Sequence, residues 1–236
     1  EGGIDAVGLG VLFGLYDFKF EVLGLVSHAL YLDKKYGVGP HTFSVPRIQP
    51  ADTVELKPTY TVDDNEFLMI IAILRLAVPY TGMIISTRER PTIRKKAFEI
   101  GISQTSSGSN TSPGGYTDKN VLEQFEVGDQ RDVGQFLSDI LDDNLLPSFC
   151  TACYRQGRTG KEFMDIAKPG NIHNFCRPNA ILTFKEYLED YASSDVRKKG
   201  LKVIDTYLAK IPSKSIKIET EKRLRRIETG ERDIYF

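Results

Sequence analysis

The feature that most constrains this chain is a fourfold alternation of a short apolar run with an amphipathic stretch of helical period. Ile4–Leu15 (IDAVGLGVLFGL) is apolar throughout and glycine-rich, as a strand buried on both faces should be. Asp17 follows, and Phe18–Tyr36 carries apolar residues at helical spacing up to Gly37, a natural stop. His41–Pro50 is a second strand candidate. Asp63 and Asp64 can cap a helix over Glu66–Val78, which Pro79 ends. Met83–Ser86 predicts a third strand, followed by a helix with Pro91 in its first turn and Gly101 at its end. Ile102–Ser106 is the fourth strand. A Ser/Gly/Asn/Pro loop then runs to about Gly128, before an amphipathic helix marked by Val133, Phe136, Leu137, Ile140 and Leu141.

Crossovers of that length force parallel pairing, so the expected class is α/β: half of an eight-stranded barrel, or a doubly wound sheet. Both place chemistry at the carboxyl ends of strands. Those ends carry Gly14-Leu15, Pro46-Arg47, Ser86-Thr87-Arg88-Glu89 and Ser106-Ser107-Gly108-Ser109, which suits a substrate mouth, although Ser, Thr and Asp also collect there simply as helix caps. Gly8-x-Gly10 lacks the third glycine of a dinucleotide fingerprint, because Phe13 stands in its place.

All three cysteines fall in one stretch. Cys150 and Cys153 form C-x-x-C, and Cys176 follows after 22 residues. Gly157, Gly160, Pro169 and Gly170 punctuate the span, which predicts a wrapped loop. Two metals compete for it. Cys150, Cys153, His173 and Cys176 make a complete set for structural zinc. Three thiolates alone would hold three corners of a cubic iron–sulfur cluster and leave one iron open. Three unrelated core cysteines are the bland alternative. An odd count argues against a disulfide framework. His173 is read as facing solvent rather than as a ligand, His41 as structural, and His28, between Leu25 and Leu32, as a packed core histidine.

Beyond Cys176 the chain reads as helical. Thr183-Phe-Lys-Glu186 predicts a capping box opening a helix over Phe184–Tyr191, with further helices over Val196–Ile211 and Ile218–Glu228. The charge run EKRLRRIE is read as a solvated face balanced by i,i+4 pairs, and the apolar Ile234-Tyr235-Phe236 as a segment that docks. With 41% hydrophobic and 27% charged residues the 236-residue chain is globular material, and a net charge of −1 gives no field to draw it onto nucleic acid or an anionic membrane. The run Phe67–Tyr80 is too short for a membrane span and carries Arg75. No secretory signal opens the chain, and clustered thiols suit a reducing cytoplasm. Glu1 opens the sequence in mid-pattern, as if in a piece of something longer.

Read together, GIDAVGLGVLFGLYDFKFEVLGLVSHALYL, FSVPRIQPAD, GMIISTRERP, SFCTACYRQGRTGKEFMDIAKPG, FCRPNAILTFKEYLEDYA and RIETGERDIYF resemble the C-terminal half of the radical-SAM L-tyrosine lyases that mature [FeFe]-hydrogenase. The first three segments are shared with the tyrosine lyases of the thiamine pathway. The cysteine motif and helical tail point to the maturase branch and move the metal question towards iron–sulfur. The resemblance implies the second half of a (β/α)8 barrel over 1–146 and a mainly helical, cluster-bearing domain over 147–236. It implies an enzyme that uses S-adenosyl-L-methionine and a radical-generating [4Fe-4S] cluster to cleave L-tyrosine into p-cresol and dehydroglycine. That fragment yields carbon monoxide and cyanide at an auxiliary [4Fe-4S] cluster with an additional iron, where cysteine is a candidate ligand, for an Fe(CO)(CN) unit.

Carried over by position, Cys150, Cys153 and Cys176 match the auxiliary-cluster ligands and His28 the ligand of the extra iron, against the bland reading of that histidine. Ser86 and Arg88 match the grip on the tyrosine carboxylate. Arg47 faces the same mouth, and Gly8 and Gly10 allow close approach of the adenosyl group. The C-x-x-x-C-x-x-C motif of the radical-generating cluster is absent from this sequence, as are the first four strands. The partners implied are the other half of the barrel and the other hydrogenase maturases. A chain with that departure is expected to be inactive in S-adenosylmethionine cleavage alone. A non-catalytic scaffold stabilised by zinc or a cluster, and a lyase that stops at dehydroglycine, are the competing readings.

Overall fold

The computed structural model describes residues 2–51, 59–117 and 123–236. Parts of the polar link after Pro50 and of the loop before Gly128 therefore lie outside the described residues. The chain forms two compact units, Glu1–Gln130 and Arg131–Phe236.

In the first unit the elements alternate: β1 (Gly8–Gly10), α1 (Phe18–Tyr36), β2 (Thr42–Ser44), α2 (Asp64–Ala77), β3 (Gly82–Ile85), α3 (Pro91–Ile100) and β4 (Gln104–Thr105). The four strands pair in parallel in the order β1-β2-β3-β4, with Leu9 opposite Phe43, Phe43 opposite Met83, and Ile85 opposite Thr105. A doubly wound sheet reverses its strand order at a switch point. This sheet does not, so of the two expected architectures it has the barrel-wall order.

Local chemistry sets the helix limits. Asp17 accepts a hydrogen bond from the Lys19 amide at 2.8 Å at the start of α1, and Gly37 closes it with a left-handed φ of 71°. A capping box between Asp63 and Glu66 opens α2, and Pro91 occupies the first turn of α3. Val22, Leu25 and Ala29 of α1, Phe67, Ile70, Ile71 and Leu74 of α2, and Ile93 and Ala97 of α3 form one core with Phe13, Phe43, Val45, Met83 and Ile85 from the sheet side. Burial of each large side chain there stabilises the unit by about 1.5–3 kcal/mol. The first strand is shorter than the apolar run that announces it. Gly8 and Gly10 are exposed, and the buried residues of the run, Phe13 (bridged to Arg47) and Gly14, lie beyond the strand.

The second unit is helical: α4 (Val133–Asp142), α5 (Ala152–Arg155), α6 (Gly160–Ala167), α7 (His173–Asp190), α8 (Ser194–Ala209) and α9 (Lys214–Glu228). Leu137 and Leu141 of α4 pack with Ile181, Phe184, Val196 and Val203, so α4 joins this unit rather than the sheet, and the division falls ahead of residue 146. The capping box expected at Thr183 does not exist. α7 is already helical from His173, and the Thr183 hydroxyl donates back to the Asn179 carbonyl at 2.9 Å. Glu219 pairs with Arg223 one turn away on α9, as the charge run predicts, and Ile234 is buried with Leu182 and Ile227. No helix among the described residues is long and apolar enough to cross a membrane.

Candidate functional site

Within the first unit, a cavity of about 310 Å³ opens where β2 and β3 end, at the small end of the ~300–1,000 Å³ usual for small-molecule sites. It is lined by Arg47, Asp64, Arg88, Glu89, Arg90 and Gly128, among others. Arg47 is committed to the protein itself. Its Nε donates to Glu89 Oε1 at 2.9 Å, its Nη2 to Glu89 Oε2 and to Asp64 Oδ1 (3.0 Å), and its Nη1 to the Val62 carbonyl at 3.0 Å. Its plane also stacks on Phe67, 4.5 Å from the ring centre. Burial alone would lower the Arg47 pKa, but the carboxylates of Glu89 and Asp64 outweigh it and raise the value. Arg90 then holds the other oxygen of Asp64 at 2.7 Å, completing a chain Glu89–Arg47–Asp64–Arg90.

Arg88 is different. Its guanidinium lies 3.4 Å from the centre of the Phe125 ring, and no carboxylate among the described residues pairs with it. Burial lowers its pKa, partly opposed by Glu89. A guanidinium stacked through its face keeps its in-plane N–H fork for a carboxylate. The Ser86 hydroxyl oxygen accepts from the Arg88 amide at 3.3 Å, which leaves its own O–H to donate. Arg88 and Arg47 thus line one cavity, and Ser86 is tied to it through its hydrogen bond with the Arg88 amide.

Two residues that the sequence reading passed over hold this mouth in place. Arg94 and Asp129, each 1% exposed, form a buried ion pair. Arg94 also donates to Thr105 Oγ1 and to the Ser106 carbonyl, both at 2.5 Å. Asp129 donates its amide to the Thr87 carbonyl at 3.0 Å, tying the loop around Gly128 against the Arg88 strand end. The signal was a charge in an otherwise apolar helix face, but its partner lies 35 positions away.

His28 lies exposed on α1, one position off the buried stripe Val22, Leu25, Ala29; the packed-core reading of it fails. Gly8 and Gly10 have a reason for lacking a side chain within the sheet: a Cβ at Gly8 would stand 2.7 Å from Thr42 Oγ1, and one at Gly10 3.1 Å from the Ser44 carbonyl.

In the second unit the cysteine span is not a loop but α5, α6 and the first turn of α7. Phe149 anchors its start, donating its amide to Thr183 Oγ1 at 3.2 Å and stacking on Tyr187 at 4.9 Å. Gly157, in the left-handed region at φ 67°, turns the chain after α5. The Arg158 amide then donates to the Cys153 carbonyl at 2.9 Å. Cys176 falls at the start of α7, its amide bonded to the Ile172 carbonyl at 2.8 Å.

All three thiols are free, and they lie close enough to act on one another. Burial pushes the Cys150 thiol up, and the neighbouring Cys153 adds to that. Cys176 is pushed up to about 11, by burial first and then by Cys153 and Cys150, with Arg158 opposing. The residue has open surface, yet protein atoms crowd its sulfur, and the crowding governs its ionisation. A bound cation inverts that preference, since coordination removes the thiol proton.

Among the described residues no group of three or more His, Cys, Asp or Glu side chains closes around a single ion. One zinc needs all its sulfurs within bonding distance of the same point, at about 2.3 Å. A cubic cluster takes each thiolate on a different iron, so its ligands stand further apart. Three free thiols, on α5, on α7 and in the segment ahead of α5, are the kind of donor a cluster takes. His173 is exposed at the start of α7.

Comparison with known proteins follows the same lines. Residues 44–146 match the Biotin and Thiamin Synthesis associated domain. The chain is 35% identical over 131 residues to 2-iminoacetate synthase of Escherichia coli (strain K12), covering 55% of this chain and 34% of that protein; the Salmonella typhimurium enzyme of the same name matches at the same identity and coverage. The crystal structure of HydG, a maturase of the [FeFe]-hydrogenase, superposes with a TM-score of 0.94 at 54% identity, covering 99% of this chain and 51% of that one. HydG from Carboxydothermus hydrogenoformans gives 0.75 at 38% identity, covering 94% and 48%. The chain thus spans about half the length of these HydG structures and about a third of the curated relatives it matches. Along nearly all of its own length, in sequence and in α/β fold, this chain is a homologue of the [FeFe]-hydrogenase maturase HydG, with the 2-iminoacetate synthases as more distant relatives.

Proposed function

We propose that the chain carries the substrate mouth and the auxiliary-cluster seat of a cytoplasmic radical-SAM L-tyrosine lyase that makes p-cresol, carbon monoxide and cyanide for the [FeFe]-hydrogenase active site. One observation carries this reading: three free thiols that act on one another, Cys153 on α5, Cys176 on α7 and Cys150 two residues ahead of α5. Its kinship with HydG supports the maturation context.

The chain's own residues supply binding and orientation. The N–H fork of Arg88 receives the tyrosine carboxylate and the Ser86 hydroxyl donates to it, while the Glu89–Arg47–Asp64 chain keeps the floor of the mouth rigid. Gly8 and Gly10 leave backbone bare for the adenosyl group of S-adenosylmethionine. Cys150, Cys153 and Cys176 hold the auxiliary [4Fe-4S] cluster, and His28, open to solvent on α1, holds the additional iron with cysteine as a further ligand. When bound, the auxiliary cluster would supply an iron open to small anionic ligands, and the radical-generating cluster would supply the electron that cleaves S-adenosylmethionine into methionine and the 5′-deoxyadenosyl radical. Other maturases receive the product.

Anaerobic reconstitution tests the seat: iron and acid-labile sulfide should be taken up together, with iron in excess when the additional iron is bound, and zinc uptake without sulfide overturns the reading. In the full-length enzyme, Cys153→Ser should keep p-cresol formation and lose carbon monoxide. Wild-type enzyme that makes p-cresol without carbon monoxide belongs with lyases that stop at dehydroglycine.

A further inference from the structure

The residues that close the second unit reach back to the thiol site through two side chains. Asn179, 1% exposed and one turn beyond Cys176 on α7, accepts from the Phe236 amide at 2.7 Å and donates to the Phe236 carbonyl at 3.4 Å. Arg158 donates Nη2 to the same carbonyl at 2.8 Å and lies over the Phe175 ring at 4.9 Å. Its amide is bonded to Cys153 and its ring partner precedes Cys176, so this guanidinium is fixed between the two cysteine segments. The Arg158 Nε–H is buried and has no acceptor among the described residues. Arg223 clamps the other side of the latch, 3.8 Å from the centre of the Phe236 ring, with its Nη1 donating to the Tyr235 carbonyl at 2.9 Å.

A guanidinium whose Nε–H is buried and unused keeps a donor for whatever anion lies beside it. Three thiolates on a cluster make such an anion. We infer that Arg158 and Asn179, locked in place by Tyr235 and Phe236, are positioning residues that set the reduction potential of the group seated on Cys150, Cys153 and Cys176. The inference rests on the cluster reading above and adds to it a function for the docked tail. Charge and hydrogen bonds near the sulfurs are the main protein levers on cluster potential. A fixed cation stabilises the reduced, more anionic state and raises the potential, and Asn179 serves the same end by holding the Phe236 backbone on which that cation is fixed.

The test is a redox titration, followed by electron paramagnetic resonance, of the full chain reconstituted anaerobically with iron and sulfide. Arg158→Gln should load the same iron and sulfide as wild type but titrate at a more negative potential, and Arg158→Lys should restore most of the shift. Asn179→Ser, the second variant should Arg158→Gln fail to fold, should shift it the same way by less. Loaded Arg158→Gln or Asn179→Ser with the wild-type potential overturns the inference while the cluster reading stands. Wild-type chain that takes up no sulfide overturns both.

Discussion

Glu89 and Arg47 meet side-on, Nε to Oε1 at 2.9 Å and Nη2 to Oε2, at the bottom of the cavity where β2 and β3 end, and Glu89 is only 2% exposed. The pair converts a cation that a carboxylate ligand would seek into part of the wall. Removing one partner of such a pair leaves a buried charge and costs about 3–5 kcal/mol. Glu89→Ala is therefore expected to lower the denaturant midpoint sharply in equilibrium unfolding. Asp64→Asn, at the more exposed end of the same chain, should cost about 1 kcal/mol or less.

Arg88 carries the opposite expectation. It has a ring partner but no ion pair among the described residues, so Arg88→Lys should leave the unfolding midpoint near wild type. Lysine cannot stack flat on Phe125 or present a planar fork. A charged hydrogen bond lost to the ligand is worth about 1.5–3 kcal/mol. On the proposed function, the KM for tyrosine in the full-length enzyme should rise by about 10- to 150-fold, with Phe125→Leu giving a smaller rise.

Arg94 and Asp129, each 1% exposed, form the deepest ion pair among the described residues of the first unit. Asp129→Asn strands the guanidinium and should cost about 3–5 kcal/mol, whereas the double variant Arg94→Met, Asp129→Leu should regain most of it because no buried charge remains. Thermal unfolding of the three proteins checks this. A double variant no more stable than Asp129→Asn would show that the pair is not coupled.

These three sites differ in how far the sequence discloses them. The limits of α1 are legible in Asp17 and Gly37, because a cap is local chemistry between residues a few positions apart. The parallel strands follow from crossover length. Thr183 and Glu186 imitate a helix start, yet tertiary burial of Ile181, Phe184 and Leu188 carries α7 straight through them, past Pro178. His28 has apolar neighbours, but the buried stripe of α1 is narrow and passes it by. Arg94–Asp129 and Arg158–Phe236 are invisible in one dimension. Their partners are 35 and 78 positions apart, joined only when a loop or tail docks.

Gly128 offers a steric test of the mouth. A Cβ there would stand 2.6 Å from the Arg88 carbonyl and 3.1 Å from the Arg90 amide, and neither is a flexible side-chain end that could swing away. Gly128→Ala should force the loop off the strand end at a cost of about 1–3 kcal/mol. It should also weaken tyrosine binding in the full-length enzyme, because Arg88 moves, while iron and sulfide uptake by the cysteine site stays at the wild-type level. Unchanged tyrosine KM in a folded Gly128→Ala protein would show that the Arg88 end of the cavity is not where the amino acid sits.

The second unit should be acid-sensitive in a way traceable to one carboxylate. Burial pushes the Glu189 carboxyl up, but Lys185 at 2.9 Å and Arg197 at 2.7 Å outweigh it and hold its pKa below the ordinary 4.5. A carboxylate whose folded value lies below its unfolded one binds fewer protons in the native state. Its stabilisation is thus complete above about 4.5 and is lost as pH falls through the folded value. Glu189→Gln cannot titrate, so it should start less stable at neutral pH, by about 1 kcal/mol given the half-exposed Arg197, and lose less on acidification. Unfolding curves of the two proteins should therefore converge towards pH 3, and parallel curves across that range would assign the acid limb to other groups, of which Asp190, held low by its hydrogen bond to Arg232, is the next to substitute.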